Sequence, residues 1–174
     1  RELEEAEKTV EELIRRIKEI IDEVLKRDRD VSERSKELID KVKREAEKIV
    51  EEIERLLKNN VDRDELRKMV ERLRELVKKV LEELRKTVRE LEETSRRALE
   101  RLRRLLKRLR EIIEKDVRSE VLRKLDKKVK DLKREIDDVV RESKELIKRN
   151  RRRVEEVAKE LERLIKEVKD RIDT

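Results

Sequence analysis

Apolar residues recur at steps of three and four along almost the whole chain, the spacing that places them on one face of an α-helix. The longest stripe runs through residues 62–115 without a change of phase and predicts one helix of that length. At about 1.5 Å per residue, such a helix spans roughly 80 Å. The members of this stripe are Leu66, Val70, Leu73, Val77, Val80, Leu84, Val88, Leu91, Ser95, Ala98, Leu102, Leu105, Leu109 and Ile112.

Three further stripes predict helices over about 2–28, 33–58 and 119–172. The boundaries between helices fall at three short segments that pair Asp or Asn with Val, at 30–32, 60–62 and 116–119. Asp and Asn tolerate a left-handed backbone, and Ser32 or Asp62 can cap the helix that follows. The firmest boundary is at 59–62, because Asp62 and Glu65 form an acidic variant of the capping box.

Short turns force each helix to lie antiparallel to the one before it. The predicted fold class is therefore all-α, an antiparallel helical bundle with two short helices (about 2–28 and 33–58) and two long ones (about 62–115 and 119–172). Folding the short helices back places their turn about halfway along the long pair. A single domain, 1–174, then has a four-helix half (1–91 with 143–174) and a two-helix hairpin half (92–142).

The predicted hairpin half carries more apolar surface than two helices can bury, and a large exposed apolar patch usually marks an interface. We therefore expect association with copies of the same chain, most simply as a dimer, with a trimer or tetramer also open. A module that binds helices of a different chain is the alternative. The predicted interface comprises Ala98, Leu99, Leu102, Leu105, Leu106, Leu109, Ile112, Ile113, Val121, Leu122, Leu125, Val129, Leu132, Ile136, Val139 and Val140.

Another chain path would remove this interface. If the third helix broke at Thr94-Ser95 and the fourth at Asn150, six short helices could close a compact monomer. Both stripes stay in phase across these positions, which favours continuous helices.

A few small polar residues lie on or beside the stripes. A polar group that is buried without a partner costs free energy, so these side chains should hydrogen-bond to one another or to water and fix the register of the helices. The alternative is that Ser and Thr bond to carbonyls of their own helix. The predicted polar core layer comprises Ser35, Thr87, Thr94, Ser95, Ser143 and Asn150.

Composition excludes most chemistry. Gly, Pro, Cys, His and aromatic residues are all absent, while 59% of residues are charged. Without His, the Glu-x-x-His motif of dinuclear bundle sites cannot form, and no relay activates a Ser nucleophile. We predict no enzyme activity, no cofactor, no metal and no small-molecule ligand. The strict register of the apolar residues favours a folded bundle over disorder.

The charge and the hydropathy of the sequence limit the classes of partner that we expect. No stretch approaches the roughly 20 apolar residues that cross a bilayer, and the first residues lack the apolar core of a secretory signal, so we expect a soluble protein without a membrane partner. Basic runs at 101–104 and 149–153 could contact phosphate. No aromatic side chain is available to stack on bases, so we expect no specific nucleic-acid partner.

The near-identical Asx-Val turns, the near-ideal heptads, the isolated Ser, Thr and Asn on the stripes, and the absence of Gly, Pro, Gln and aromatics occur together across the whole chain. In these features the sequence resembles computationally designed (de novo) helical bundles. That resemblance implies a self-assembling oligomer or a scaffold without biochemical activity, in which polar core layers enforce pairing specificity. It carries over no functional residues.

Overall fold

The computed structural model describes residues 2–115 and 120–174, and within these ranges it contains three long α-helices. They are α1 (Glu2–Lys58), α2 (Arg63–Lys115) and α3 (Glu120–Asp173). No described segment is a β-strand. The prediction of an all-α helical bundle is confirmed. The predicted turn at 116–119 lies outside the described residues.

The prediction of two short helices is wrong, because α1 is continuous from Glu2 to Lys58 and passes through 28–33 without a turn. The apolar stripe explains this continuity. Val24, Val31 and Val42 are buried, and they are joined in phase by the buried polar side chains Asp28 and Ser35. A helix whose stripe keeps its phase can bury one continuous face, so nothing in this segment forces the chain to reverse.

The one turn that the structure describes joins α1 to α2. Asn60 has a φ of 52°, the left-handed conformation that Asn tolerates better than most residues. The Val61 N–H donates to the Leu56 carbonyl at 3.4 Å, which is the closing bond of a Schellman motif. Asp62 then caps α2, because its Oδ1 accepts from the Asp64 N–H at 3.2 Å.

The chain divides into two compact units, and each contains a segment of all three helices. The first unit holds the described residues of 2–30, 91–115 and 120–147, and the second holds Val31–Glu90 with Lys148–Thr174. The predicted division into a four-helix half and a two-helix half is therefore wrong. The alternative path with six short helices is also wrong, since α2 and α3 are unbroken at Thr94-Ser95 and at Asn150.

The first unit has an apolar core to which all three helices contribute. Val10 and Ile17 of α1, Leu102 and Leu109 of α2, and Leu122 of α3 are each no more than 1% exposed. At about 25 cal/mol per Å² of apolar area, burial of such side chains is the main source of stability. The second unit has a corresponding set of buried residues, among them Ile53, Leu66, Leu73, Leu84 and Ile172, each fully buried.

Candidate functional site

The stripe that was predicted to be an oligomer interface is packed against α1 of the same chain. Residues 10–24 of α1 lie in one core with α2 and α3, so the predicted bare hairpin half does not exist. The interface residues that are buried in this core are Leu102, Leu106, Leu109, Leu122, Leu125, Val129, Leu132, Ile136 and Val139. Those that are half-buried at its edge are Ala98, Leu99, Leu105, Ile112, Ile113 and Val140.

Val121 is the one predicted interface residue that is largely exposed, at 44%. The interface prediction depends on a turn at 28–33 that would withdraw α1 from this part of the chain. Because α1 continues, its N-terminal half covers the stripe. These contacts do not test the oligomeric state, so self-association stays a prediction. The bare hairpin half from which it was inferred is not present.

Polar side chains from all three helices lie in the core of the first unit. Arg27 and Asp28 come from α1, Ser95 from α2 and Ser143 from α3, and we call these four residues the polar cluster. Asp28, Ser95 and Ser143 are 5%, 2% and 2% exposed. Ser143 Oγ donates to Asp28 Oδ2 at 2.6 Å, and Arg27 Nη2 donates to Ser95 Oγ at 3.5 Å. Each bond therefore joins α1 to a different neighbouring helix.

Burial raises the pKa of the Asp28 carboxyl above its ordinary value, because the charged form has lost its hydration. The hydrogen bond from Ser143 and the charge of Arg27 act in the opposite direction on this pKa but do not cancel the effect of burial. Two buried atoms of the cluster, Asp28 Oδ1 and Arg27 Nε, have no hydrogen-bond partner. The cluster is thus a costly feature of the core.

The remaining residues of the predicted polar core layer behave in two ways. Thr87 Oγ1 donates to the Glu83 carbonyl at 2.9 Å, and Thr94 Oγ1 donates to the Leu91 carbonyl at 3.1 Å, both on their own helix. Ser35 and Asn150 are buried in the second unit, at 4% and 2% exposure. Their Oγ and Nδ2 atoms have no partner in the core.

Arg27 and Asp28 are absent from the predicted layer. A signal for Asp28 is present in the sequence, because position 28 lies four residues after Val24 and three before Val31, in phase with the stripe. Arg27 carries no such signal. The position of Arg27 beside the core can be inferred only after Asp28 has been placed in the core.

The Ser143–Asp28 pair of the polar cluster has the geometry of a buried hydrogen bond and not of a catalytic pair. A serine activated by a carboxylate would have to reach a substrate, and both Ser143 and Asp28 are buried among the three helices. No group of three or more His, Cys, Asp or Glu side chains within 2–115 and 120–174 could hold a metal ion.

The surface grooves of the second unit include two that lie between neighbouring helices. One, of about 330 Å³, runs between α1 and α2 and includes Ser35, Leu38 and Thr87 in its lining. The other, of about 770 Å³, runs between α2 and α3 with Val77, Leu81 and Ile165 among its lining residues. Both acidic and basic side chains line the larger groove, so its charge does not favour one class of ligand.

Ion pairs join the helices of the second unit at its surface. Lys43 Nζ lies 3.3 Å from Glu160 Oε2, Arg85 Nε lies 3.3 Å from Glu155 Oε1, and Arg67 Nη2 lies 3.2 Å from Asp173 Oδ1. All these side chains are largely exposed, so each pair adds at most about 1 kcal/mol. They favour the observed pairing of the helices without determining it.

No described helix has an apolar stretch long enough to cross a membrane. No protein-family model matches the chain, and no curated protein matches it. Among solved structures, the chain is similar to one described as a "Computationally designed three helix bundle", with 23% sequence identity and a TM-score of 0.54. The match covers 98% of this chain and 79% of that one.

At this identity the likeness shows the fold, a three-helix bundle. The resemblance to computationally designed helical bundles that was recognised in the sequence is confirmed by this match.

Proposed function

We propose that the chain is a structural scaffold, a three-helix bundle that folds as a monomer and carries out no reaction. The observation that supports this most directly is the burial of each long apolar stripe against segments of the same chain. In the first unit, Ile17 of α1 and Leu102 and Leu109 of α2 are fully buried in one core. An apolar stripe that is buried against its own chain leaves little apolar area for a second copy of the chain to bury.

The polar cluster supports a second part of the proposal, in which it sets the register of the three helices. Leu, Ile and Val side chains pack acceptably in several registers, whereas a buried carboxylate is tolerated only where its donors lie within reach. Shifting α3 by one turn would carry Ser143 about 5.4 Å from its position. Asp28 would then lose the hydrogen bond that offsets part of its desolvation.

The absence of activity is supported by residue chemistry. The sequence contains no His or Cys, and the buried hydroxyl and carboxyl of the polar cluster lie in the core and not in an open cleft. The similarity to a designed three-helix bundle is consistent with a scaffold. Designed bundles of this kind commonly use a buried polar contact to exclude alternative pairings.

Sedimentation equilibrium tests the proposal. From about 1 µM to about 1 mM, the protein should sediment as a single species with the mass of one chain, 21.4 kDa. A mass that rises reversibly with concentration toward two or three chains would contradict the monomer and restore self-assembly. A monomer that gains helicity only when mixed with another helical protein would instead favour the heteromeric binding module.

A further inference from the structure

The outer surface of α2 between residues 96 and 110 holds a concentrated positive charge. Eight cations stand there against a single acid, Glu100, so this segment alone has a net charge of +7. The formal net charge of the whole chain is also +7. We call the eight cations the basic band. They are Arg96, Arg97, Arg101, Arg103, Arg104, Lys107, Arg108 and Arg110.

Most of the basic band is not neutralised by its surroundings. All eight side chains are exposed. Arg96 and Arg97 share Glu93, at 2.8 and 3.3 Å. The other six make no ion pair or hydrogen bond with any residue in the described part of the chain. Three of the arginines in the second unit, by contrast, reach an acid on a neighbouring helix.

The spacing within the basic band adds to its self-repulsion. Arg97, Arg101, Arg104 and Arg108 follow one another at steps of four, three and four, so they form a row along one side of α2. Like charges at these steps repel. Glu100, three residues after Arg97 and four before Arg104, is the single acid of the segment beside them. A polyanion laid along the row would replace this repulsion with attraction.

The segment of α3 that packs beside the basic band extends the positive surface. Residues 123–134 hold seven Lys or Arg against two Asp. Leu125 and Val129 of this segment lie in the same core as Leu102, Leu106 and Leu109 of α2. Two adjacent helices of the first unit therefore both present a strong excess of cations.

We propose that the basic band is a binding surface for the phosphate backbone of double-stranded nucleic acid, independent of base sequence. The band extends about 21 Å along α2 at 1.5 Å per residue. A duplex presents one phosphate charge per about 1.7 Å of its axis, both strands counted, so about twelve phosphate charges lie along that length and those on the facing side are within reach. Seven of the eight cations are arginines, whose planar guanidinium matches phosphate oxygens in a bidentate geometry.

Two observations favour a duplex over other polyanions. The chain has no aromatic residue, so it lacks the stacking platforms that hold single strands. The apolar face of α2 is buried in its own core, with Leu102 and Leu109 fully covered, so this helix has no apolar face to insert into a bilayer. With stacking and membrane insertion both excluded, charge is the remaining basis for binding. The backbone phosphates of a duplex form a regular linear array of negative charge.

Fluorescence anisotropy with a labelled duplex of about 30 base pairs tests the proposal over roughly 50 to 200 mM salt. The test variant is the triple substitution R101Q/R104Q/R108Q. We expect its affinity near 0.1 M salt to fall at least about tenfold, and the slope of log K against log salt to become shallower by about two to three. Each phosphate contact that is lost removes about one counterion from the exchange.

The matched control is R72Q/R89Q/R163Q, which removes three exposed arginines of the second unit and gives the same net charge. Its affinity should stay within about threefold of the unmodified protein. Circular dichroism melts should show that both variants keep the fold, since all six positions are exposed.

Equal weakening by both triple variants would overturn the proposal, because overall charge and not the basic band would then govern binding. So would the absence of duplex binding at the lowest salt. Vesicles rich in phosphatidylserine, or a single strand of the same length, are the competing polyanions. Binding to either that is as tight as binding to the duplex would also contradict the assignment.

Discussion

Residues 28–33 and residues 59–62 both place Asp or Asn next to a valine, and only the second segment turns. At 59–62, Asn60 takes a left-handed conformation and Val61 closes a Schellman motif onto Leu56. At 28–33, the backbone stays helical and Asp28 and Val31 are buried. The difference lies in the phase of the apolar stripe, which continues through the first segment and ends at the second.

The comparison shows that capping residues permit a turn but do not cause one. A helix ends where continuing it would bury nothing, as at Lys58, which is followed by two exposed Asn residues. Where the next turn of the helix still buries an apolar side chain, as at Val31, the helix continues even though the Asp28 carboxylate is buried with it. Three tests of this interpretation follow, from the largest expected effect to the smallest.

The largest effect should come from proline. Arg29→Pro removes a helical hydrogen bond in the interior of α1 and should lower the free energy of unfolding by about 3 kcal/mol or more. Arg63→Pro is the matched control, because Arg63 is the first residue of α2, where proline is well tolerated. Both arginines are exposed. Guanidinium unfolding followed by circular dichroism measures the difference.

If Arg29→Pro cost no more than Arg63→Pro, α1 would have to be interrupted near residue 29. The two predicted short helices would then be restored, and with them the bare stripe on α2 and α3.

The second effect concerns the buried carboxyl. The pKa of Asp28 is raised in the folded protein by burial, so the folded state holds its proton to higher pH than the unfolded chain does. Stability from this group is therefore fully present below the unfolded pKa and is lost as pH rises through the folded pKa. Asp28→Asn removes the charge, and should make the protein more stable by about 1 to 2 kcal/mol at pH 7.

The advantage of Asp28→Asn should shrink as the pH is lowered below the folded pKa of Asp28, which urea unfolding across a pH series would measure. Asp30→Asn is the control, because Asp30 is exposed and its substitution should change stability by no more than about 0.5 kcal/mol. A loss of stability on Asp28→Asn at pH 7 would show that Ser143 and Arg27 outweigh the cost of burial.

Much of this fold follows from the sequence. The unbroken stripes predict α2 and α3 closely, and Asn59-Asn60 with Asp62 predicts the turn. Ser35, Ser95, Ser143 and Asn150 are predicted on the core side, and all are buried.

The predicted break in α1 is wrong. Burying a carboxylate at a core position normally costs too much free energy, and a stripe that leaves out Asp28 is interrupted at that position. With Asp28 included, positions 24, 28, 31, 35, 38 and 42 are separated by steps of four, three, four, three and four. The hydrogen bond from Ser143 that makes this burial tolerable joins residues 115 positions apart, and no local pattern reveals it.

The smallest expected effects on stability come from alanine substitutions, and they should have opposite signs in the two segments. Asn60→Ala places a residue that disfavours the left-handed region at a φ of 52°, and should lower stability by about 1 kcal/mol. Asp30→Ala replaces an exposed residue of modest helix propensity inside α1 with the best helix former, and should raise stability by about 0.5 kcal/mol. Urea unfolding midpoints at an unchanged m-value measure both changes. If both substitutions destabilised the protein alike, residue 30 would not be helical in solution, and the contrast between the two segments would disappear.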